Sequence, residues 1–333
     1  MSSIANSAVE PDSFQELVEP YRAELHAHCY RMLGSVHDAE DALQDALLRA
    51  WRALPQFQGR SSLRSWLYRI ATNSCLRLIE RRPKRVLPID YGPQSDAHDD
   101  PAPPLVESVW IEPYPDAAIA DGLAAPEARY EQRESVELAF VAALQHLPAR
   151  QRAVLILRDV LGFSAAEVAE TLDTTATAVY SALQRAHKSV EEYLPAYSQQ
   201  ATLRSLGDAR VRAIVETYVD AWERGDVEAI VSMLAEDAIL AMPPRPSWYR
   251  GIEQARVFLA RGPLAPTRAR RVQPAAANGQ VALASSYKGW PERPDGLQVL
   301  QLLTLDTDGR IAEITAFVGT EHGPFLPGAA SPR

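Results

Sequence analysis

The feature that most limits this chain is a proline-dense stretch. Pro83, Pro88, Pro93, Pro101, Pro103, Pro104, Pro113 and Pro115 follow one another with Asp and Ser between them. Each withdraws a backbone donor and fixes φ, so neither a long helix nor a central strand can run through the segment. The chain must therefore build separate cores on either side, as the usual ~100–200 residues per domain also suggests for 333 residues. Residues 83–126 read as a linker. At that length it is either disordered or functional, with Trp110, Ile111 and Tyr114 as the side chains able to dock.

Before the linker the pattern is helical. Phe14, Leu17, Val18, Tyr21, Leu25, Met32 and Leu33 fall at helical spacing and Gly34 closes the run. Ser35 stands three residues before Asp38, as at a helix start, and Ala39, Ala42, Leu43, Ala46, Leu47, Ala50 and Trp51 mark the stripe expected to be buried. After a loop from Pro55 to Ser62, a third stripe runs through Leu63, Trp66, Leu67, Ile70, Ala71 and Leu78. Helical spacing resumes near Glu127 and continues to Tyr193, with breaks that allow four short helices. Ser164 and Glu167 form a capping-box pair, a turn follows at Asp173 and Thr174, and Val179, Leu183 and Ala186 mark the inner face of the next helix. Beyond Leu206 two helices, Val211 to Arg224 and Val227 to Leu234, precede five strand-like runs, two pairs of them joined by Asn278-Gly279 and Asp308-Gly309. The expected architecture is multidomain: an all-α unit at 12–82, the linker at 83–126, an all-α helix-turn-helix unit at 127–195, and an α+β unit with an antiparallel sheet at 205–322.

Composition narrows the function. A net charge of −9 argues against coating nucleic acid by bulk electrostatics, which needs Lys and Arg to neutralise phosphates. DNA binding must then be local, or shared with a larger basic partner. No apolar run approaches the ~20 residues of a membrane span, and Met1 to Pro11 lack a secretory pattern, so a cytoplasmic location and no membrane partner are expected. Cys29 and Cys75 make no disulfide framework. His26, His28 and Cys29 are spaced too closely on one helix to converge on an ion, and no metal or cofactor is expected.

On the second helix Asp38, Asp41 and Asp45 fall at i, i+3 and i+7, beside Glu40 and Gln44, a ridge that is either a solvated face or a dock for a basic partner. The ordered stretch from Asp38 to Asp45, then Trp51-Arg52-Ala53, Phe57, and Ser61 through Asn73, resembles region 2 of extracytoplasmic-function sigma factors. That resemblance implies docking of Asp38, Asp41, Gln44 and Asp45 on the β′ coiled coil of RNA polymerase core. It also implies capture of a melted −10 element by the next helix and the loop before it. Phe57, Ser61 and Ser62 suit an extruded base, Arg60, Arg64, Arg69 and Arg77 suit phosphates, and the Asn73 amide suits a base edge. Trp66 is either part of that site or a core anchor.

Leu147-Pro-Ala-Arg-Gln-Arg152, the helix-turn-helix and Ala182 to Ala186 look like sigma region 4, which binds the −35 element and the β flap. The matching helix would turn Thr175, Thr177, Tyr180, Ser181, Gln184, Arg185 and Lys188 toward the major groove. Asp173 stands where the family commonly has a turn glycine, and Tyr180 and Ala182 where many members carry a cation, so fewer phosphates are neutralised.

The last unit, with Tyr218 to Trp222, Gly225-Asp226, Leu234 to Asp237 and Trp248 to Gly251, resembles the SnoaL-like domain, a cone-shaped fold. Trp222, Met242, Trp248, Tyr249, Tyr287 and Phe317 either line a small-molecule cavity or pack the core and rim, and Asp237 is either a buried acid or a turn residue. The only histidine in this unit, His322, lies beyond the last strand, which argues against a His–Asp catalytic pair. The reading is thus a non-enzymatic transcription factor with a regulatory third domain. The alternatives are a small-molecule isomerase or cyclase acting through Asp237, or a stand-alone helix-turn-helix repressor, which leaves the first unit unexplained.

Overall fold

The computed structural model describes residues 11–105, 109–119, 133–266, 269–288 and 296–327. Contacts divide the chain into two compact units: Met1–Arg85 with Ala118–Ser135 and Ala139–Leu194, and Val86–Ala117 with Val136–Leu138 and Pro195–Arg333. The two sequence-predicted helical units therefore form one body.

In the first unit, α1 (Pro11–Leu33), α2 (Val36–Ala53) and α3 (Leu63–Ile79) pack around Leu25, Tyr30, Met32, Leu43 and Tyr68. Gly34 closes α1 at φ +69°, and Ser35 caps α2 by accepting from the Asp38 amide at 3.1 Å. Cys29 and Cys75 meet in this core, fully buried, where desolvation pushes the Cys75 thiol well up. Trp51 is not in the buried stripe: it is 40% exposed, beside Leu48 at 43%. At ~100° per residue it falls with Asp41, Gln44 and Leu48, a quarter-turn or more from the centre of the apolar stripe. A short turn, α4 (Pro88–Tyr91), belongs to the second unit. Next come α5 (Leu138–His146), α6 (Ala149–Leu155, continued by a π-helical turn at Ile156–Val160), α7 (Ala165–Thr171) and α8 (Ala176–Glu191).

The second unit holds α9 (Gln199–Leu206), α10 (Asp208–Arg224), α11 (Val227–Met233) and α12 (Ile252–Arg261). Its strands are β1 (Leu234–Ala241), β2 (Trp248–Arg250), β3 (Ala269–Ala277), β4 (Gln280–Lys288), β5 (Leu297–Leu305) and β6 (Ile311–Val318). The sheet order is β2-β1-β6-β5-β4-β3. The sheet is mixed rather than antiparallel, because β1 runs parallel to β6. These strands are far apart in sequence, so no turn dipeptide announces the pairing. Asn278-Gly279, both at positive φ, join β3 to β4 as the hairpin signal requires. Sequence periodicity missed α9, α12 and β2, which are too short or too polar to stand out.

Of the two alternatives for the linker, the docked one is what the described residues adopt. Its described residues from 86 to 117 lie in the second unit, with Trp110, Ile111 and Tyr114 at 6%, 1% and 0% exposure. Its backbone is satisfied by borrowed partners: Ser95 N donates to Trp248 O at 2.9 Å, Ala102 N to Ser247 Oγ at 2.9 Å, and Leu105 N to Pro244 O at 3.0 Å. Asn278 is the central clamp. Its Oδ1 accepts from Tyr114 N at 2.8 Å, its Nδ2 donates to Val136 O at 2.7 Å, and its own amide donates to Tyr114 O at 2.8 Å. Residues 106–108 and 120–126 of the linker lie outside the described residues.

Replacing Asn278 by Ala leaves a buried N–H and a buried C=O unmet. Urea unfolding should show a loss of about 2–4 kcal/mol, together with faster amide exchange at Tyr114.

Candidate nucleic-acid interface

The α2 face divides in two. Asp41 and Gln44 are exposed, and with Leu48 and Trp51 they make one outward stripe. Gln44 Nε2 donates to Glu40 Oε1 at 2.9 Å. Asp45 is turned toward α3: it pairs with Arg49 at 2.7 Å and Arg77 at 3.4 Å, and accepts from Ser74 Oγ at 2.9 Å. Partial desolvation would raise its pKa, but the hydrogen bonds from Arg49, Ser74 and Arg77 outweigh it and hold the carboxylate below the usual range. Asp38 is buried at 3% exposure and bound by Arg82 and by Arg85, the latter at 2.6 Å, so its carboxylate pins the end of the α3 segment rather than facing outward. Arg82 also reaches Asp41, at 3.2 Å.

The next element begins with the loop 57–62. Arg60 is exposed, Ser61 is half-buried, Ser62 caps α3, and the Phe57 and Trp66 rings pack at 4.9 Å between centroids. Trp66 is thus half-buried against the loop. Ser65, Arg69 and Asn73 lie four residues apart and form one row along α3, which α7 meets with two glutamate side chains and one backbone carbonyl. Ser65 Oγ donates to Glu167 Oε1 at 3.1 Å, Arg69 Nη1 to Glu170 Oε1 at 3.3 Å, and Asn73 Nδ2 to Thr171 O at 3.5 Å. Arg64 is occupied as well, bonded to Glu24 at 3.2 Å and lying over the Tyr68 and Phe163 rings at 4.9 and 5.0 Å. Glu167 also completes the capping box with Ser164, whose backbone amide and hydroxyl lower its pKa. The sequence showed Glu167 only as a cap, and Glu170 and Thr171 carried no signal at all.

The helix α8 stands in contrast. Thr175 caps it by accepting from Ala178 N at 3.2 Å, Val179, Ala186 and Val190 are buried beneath, and Thr175, Thr177, Tyr180, Ser181, Gln184, Arg185 and Lys188 are all exposed on its surface. The turn before it holds Asp173 at φ +50°, a conformation glycine adopts more easily, and Asp tolerates it better than most side chains. A capped pair of short helices with a polar outer row is the form of a groove-reading helix-turn-helix.

Three family models match: Sigma-70 region 2 over residues 17–85, Sigma-70 region 4 over residues 137–190, and a SnoaL-like domain over residues 215–314. The chain is 42% identical to the ECF RNA polymerase sigma factor SigG of Mycobacterium tuberculosis, over 96% of this chain and 86% of that one. It belongs to the extracytoplasmic-function sigma factors. A second relative, the ECF RNA polymerase sigma factor SigM of the same organism, is 31% identical over 57% of this chain and 81% of its own. The crystal structure of the Mycobacterium tuberculosis extracytoplasmic function sigma factor SigJ shares the fold, with TM-score 0.56 and 22% identity over 93% of this chain and 96% of that one. As a sigma factor the chain is a transcription initiation protein that binds core RNA polymerase and promoter DNA. No described helix is long and apolar enough to cross a membrane.

In the SnoaL-like domain of this sigma factor, Trp222, Met242, Tyr249 and Tyr287 line a common cavity. Trp248 and Phe317 are buried outside that lining, and Trp248 Nε1 donates to the linker at Gly92 O, 2.8 Å away. Asp237 is exposed on β1 and does not face the cavity, and His322 is held by Val299 O at 3.2 Å. Among the described lining residues the carboxylates are Asp99 and Asp100, both exposed and both from the linker. The cone itself therefore contributes no acid–base pair to the described lining.

Region 2 also carries a buried histidine behind α3. His28 Nε2 meets Thr72 Oγ1 at 2.9 Å and is fully buried, and desolvation, with repulsion from Arg31 and Arg64, lowers its pKa to about 3. The unfolded chain takes up this proton near pH ~6.5, so the stability it lends is complete above that pH and is lost as pH falls toward 3. Between pH ~6.5 and ~4.5, urea unfolding should lose about 2 kcal/mol more in the wild type than in His28→Gln, which cannot titrate.

Proposed function

We propose that this sigma factor docks on the β′ coiled coil through the outward stripe of α2, with Asp41 and Gln44 as polar contacts, Leu48 and Trp51 as apolar ones, and Asp45 reached at the edge of the stripe beside α3. Asp38 supports that face from behind. Region 4 takes the β flap and sets α8 in the major groove of the −35 element, where Gln184 and Arg185 are best placed for base and phosphate contacts. Loop 57–62 and the α3 row with Asn73 then receive the melted −10 strand, with Arg60, Arg64, Arg69 and Arg77 on its phosphates.

One observation carries this order of events. The α2 stripe and the outer row of α8 are exposed, with Asp41 of the stripe paired to Arg82, whereas Ser65, Arg69 and Asn73 are occupied by Glu167, Glu170 and Thr171. Two glutamates stand on hydroxyl and guanidinium groups that suit phosphate oxygens, so the −10 face is closed by an internal stand-in until region 4 moves away. Polymerase binding would supply that separation, since a ligand that prefers the open state shifts the population toward it.

The linker couples the third domain to this opening. It joins region 2 to region 4 in sequence, yet its described residues between 86 and 117 are folded onto the SnoaL-like domain, which shortens the free tether between the two regions. The domain is therefore read as a brake on separation.

Core-polymerase capture should weaken about tenfold with Asp41→Lys combined with Gln44→Lys; unchanged capture would remove the docking assignment. Neutralising the closure with Glu167→Gln and Glu170→Gln keeps the helix cap and should raise apparent core affinity roughly twofold to fivefold, the scale of exposed ion pairs. In run-off transcription, Trp110→Ala with Tyr114→Ala should free the linker and increase product; equal yield would dismiss the brake.

A further inference from the structure

The cone of the SnoaL-like domain contains a cavity of about 570 Å³, within the ~300–1,000 Å³ typical of small-molecule sites. The walls are apolar and aromatic: Leu240, Met242, Phe258, Val299 and Ile314 lie among Trp222, Tyr249 and Tyr287. The Tyr249 and Phe258 rings are stacked at 4.8 Å, which leaves flat faces beside the space.

One part of the lining, formed by Trp222, Tyr287 and Gln301, is polar but uncharged. Tyr218 Oη donates to Gln301 Oε1 at 2.8 Å, Gln301 Nε2 to Ser285 Oγ at 3.0 Å, and Trp222 Nε1 to Tyr287 Oη at 3.0 Å. Gln301, Tyr287 and Trp222 are 1%, 2% and 3% exposed. Burial pushes the Tyr287 phenol up to about 12, so it stays a neutral donor and acceptor. An ionised ligand group would lose its hydration at these groups and meet no opposite charge among them, since the lining cations Arg245 and Arg261 are bonded to the linker, while a hydroxyl or carbonyl would meet groups of its own kind.

The remaining wall is not part of the cone. Ala97, Asp99, Asp100, Pro101 and Pro104 of the linker complete the lining. They are held by the domain: Arg245 Nη1 donates to Ala102 O at 2.9 Å, Arg261 Nη1 to Ala97 O at 3.0 Å, and Gln254 Oε1 accepts from Ala97 N at 2.6 Å. Arg261 also pairs with Asp100 at 3.5 Å, so a rim cation is engaged by the chain itself.

We propose that this cavity binds an uncharged, largely apolar ring compound bearing a single hydroxyl or carbonyl, and that the linker between regions 2 and 4 is the wall that reads its presence. The consequence for transcription rests on the regulatory reading above; the binding itself does not.

The test uses the full chain and the neutral fluorophore N-phenyl-1-naphthylamine, displaced by neutral 2-naphthol or by anionic 2-naphthoate. Expected are saturable binding, at least tenfold stronger displacement by 2-naphthol, and slower amide exchange across residues 97–102 when 2-naphthol is bound. Val299→Trp fills the cavity and should abolish binding. Gln301→Leu keeps the volume and should erase the advantage of 2-naphthol over naphthalene. No saturable binding, equal displacement by the anion, undiminished binding in a folded Val299→Trp chain, or unchanged exchange in the linker would each overturn the proposal. Naphthol binding that leaves run-off yield unmoved would spare the site and sink the regulatory reading; a linker variant that alters run-off in a chain with no binding would do the reverse.

Discussion

A proline-dense segment lacks the backbone donors to build regular structure, yet its remaining amides and carbonyls must still be satisfied wherever it is buried. In this sigma factor that need is met by the third domain. Asn278 alone holds Tyr114 from both sides and reaches Val136, and Ser247, Gln254 and Trp248 hold the stretch before it. The described part of the linker is held in place because the third domain supplies its partners.

Charge follows a related logic. In a chain of net charge −9, carboxylates are at hand to partner the cations of region 2 within the fold. Arg64, Arg69, Arg77 and Arg82 each rest on an internal carboxylate, at Glu24, Glu170, Asp45 and Asp41 respectively. Exposed pairs of this kind are individually weak. They part at little cost, and with them the α3 row is engaged by α7 while the outer row of α8 stays exposed.

Much of this was legible in order and spacing. Ser35 and Ser164 cap the helices where a polar residue precedes an apolar stripe, and Asn278-Gly279 makes the turn that its tolerance of positive φ allows. The outer row of α8 followed from helical spacing once Val179 and Ala186 were set inward. Asp38 was harder. Its spacing matches Asp41 and Asp45, but only the approach of Arg82 and Arg85 from the end of the α3 segment makes it buried. Trp51 erred the other way, because apolar character suggested burial at a position that the helix turns outward.

The sequence by itself determined the local elements: helix starts and stops, hairpin turns, and the two sigma regions in order, since these depend on neighbours within a few residues. Tertiary structure alone decided that β1 pairs in parallel with β6, that α7 lies on α3, and that the linker folds onto the third domain and walls its cavity. Those contacts join residues far apart in the chain. Their energies come from burial and shape at the meeting surfaces, which no local spacing encodes.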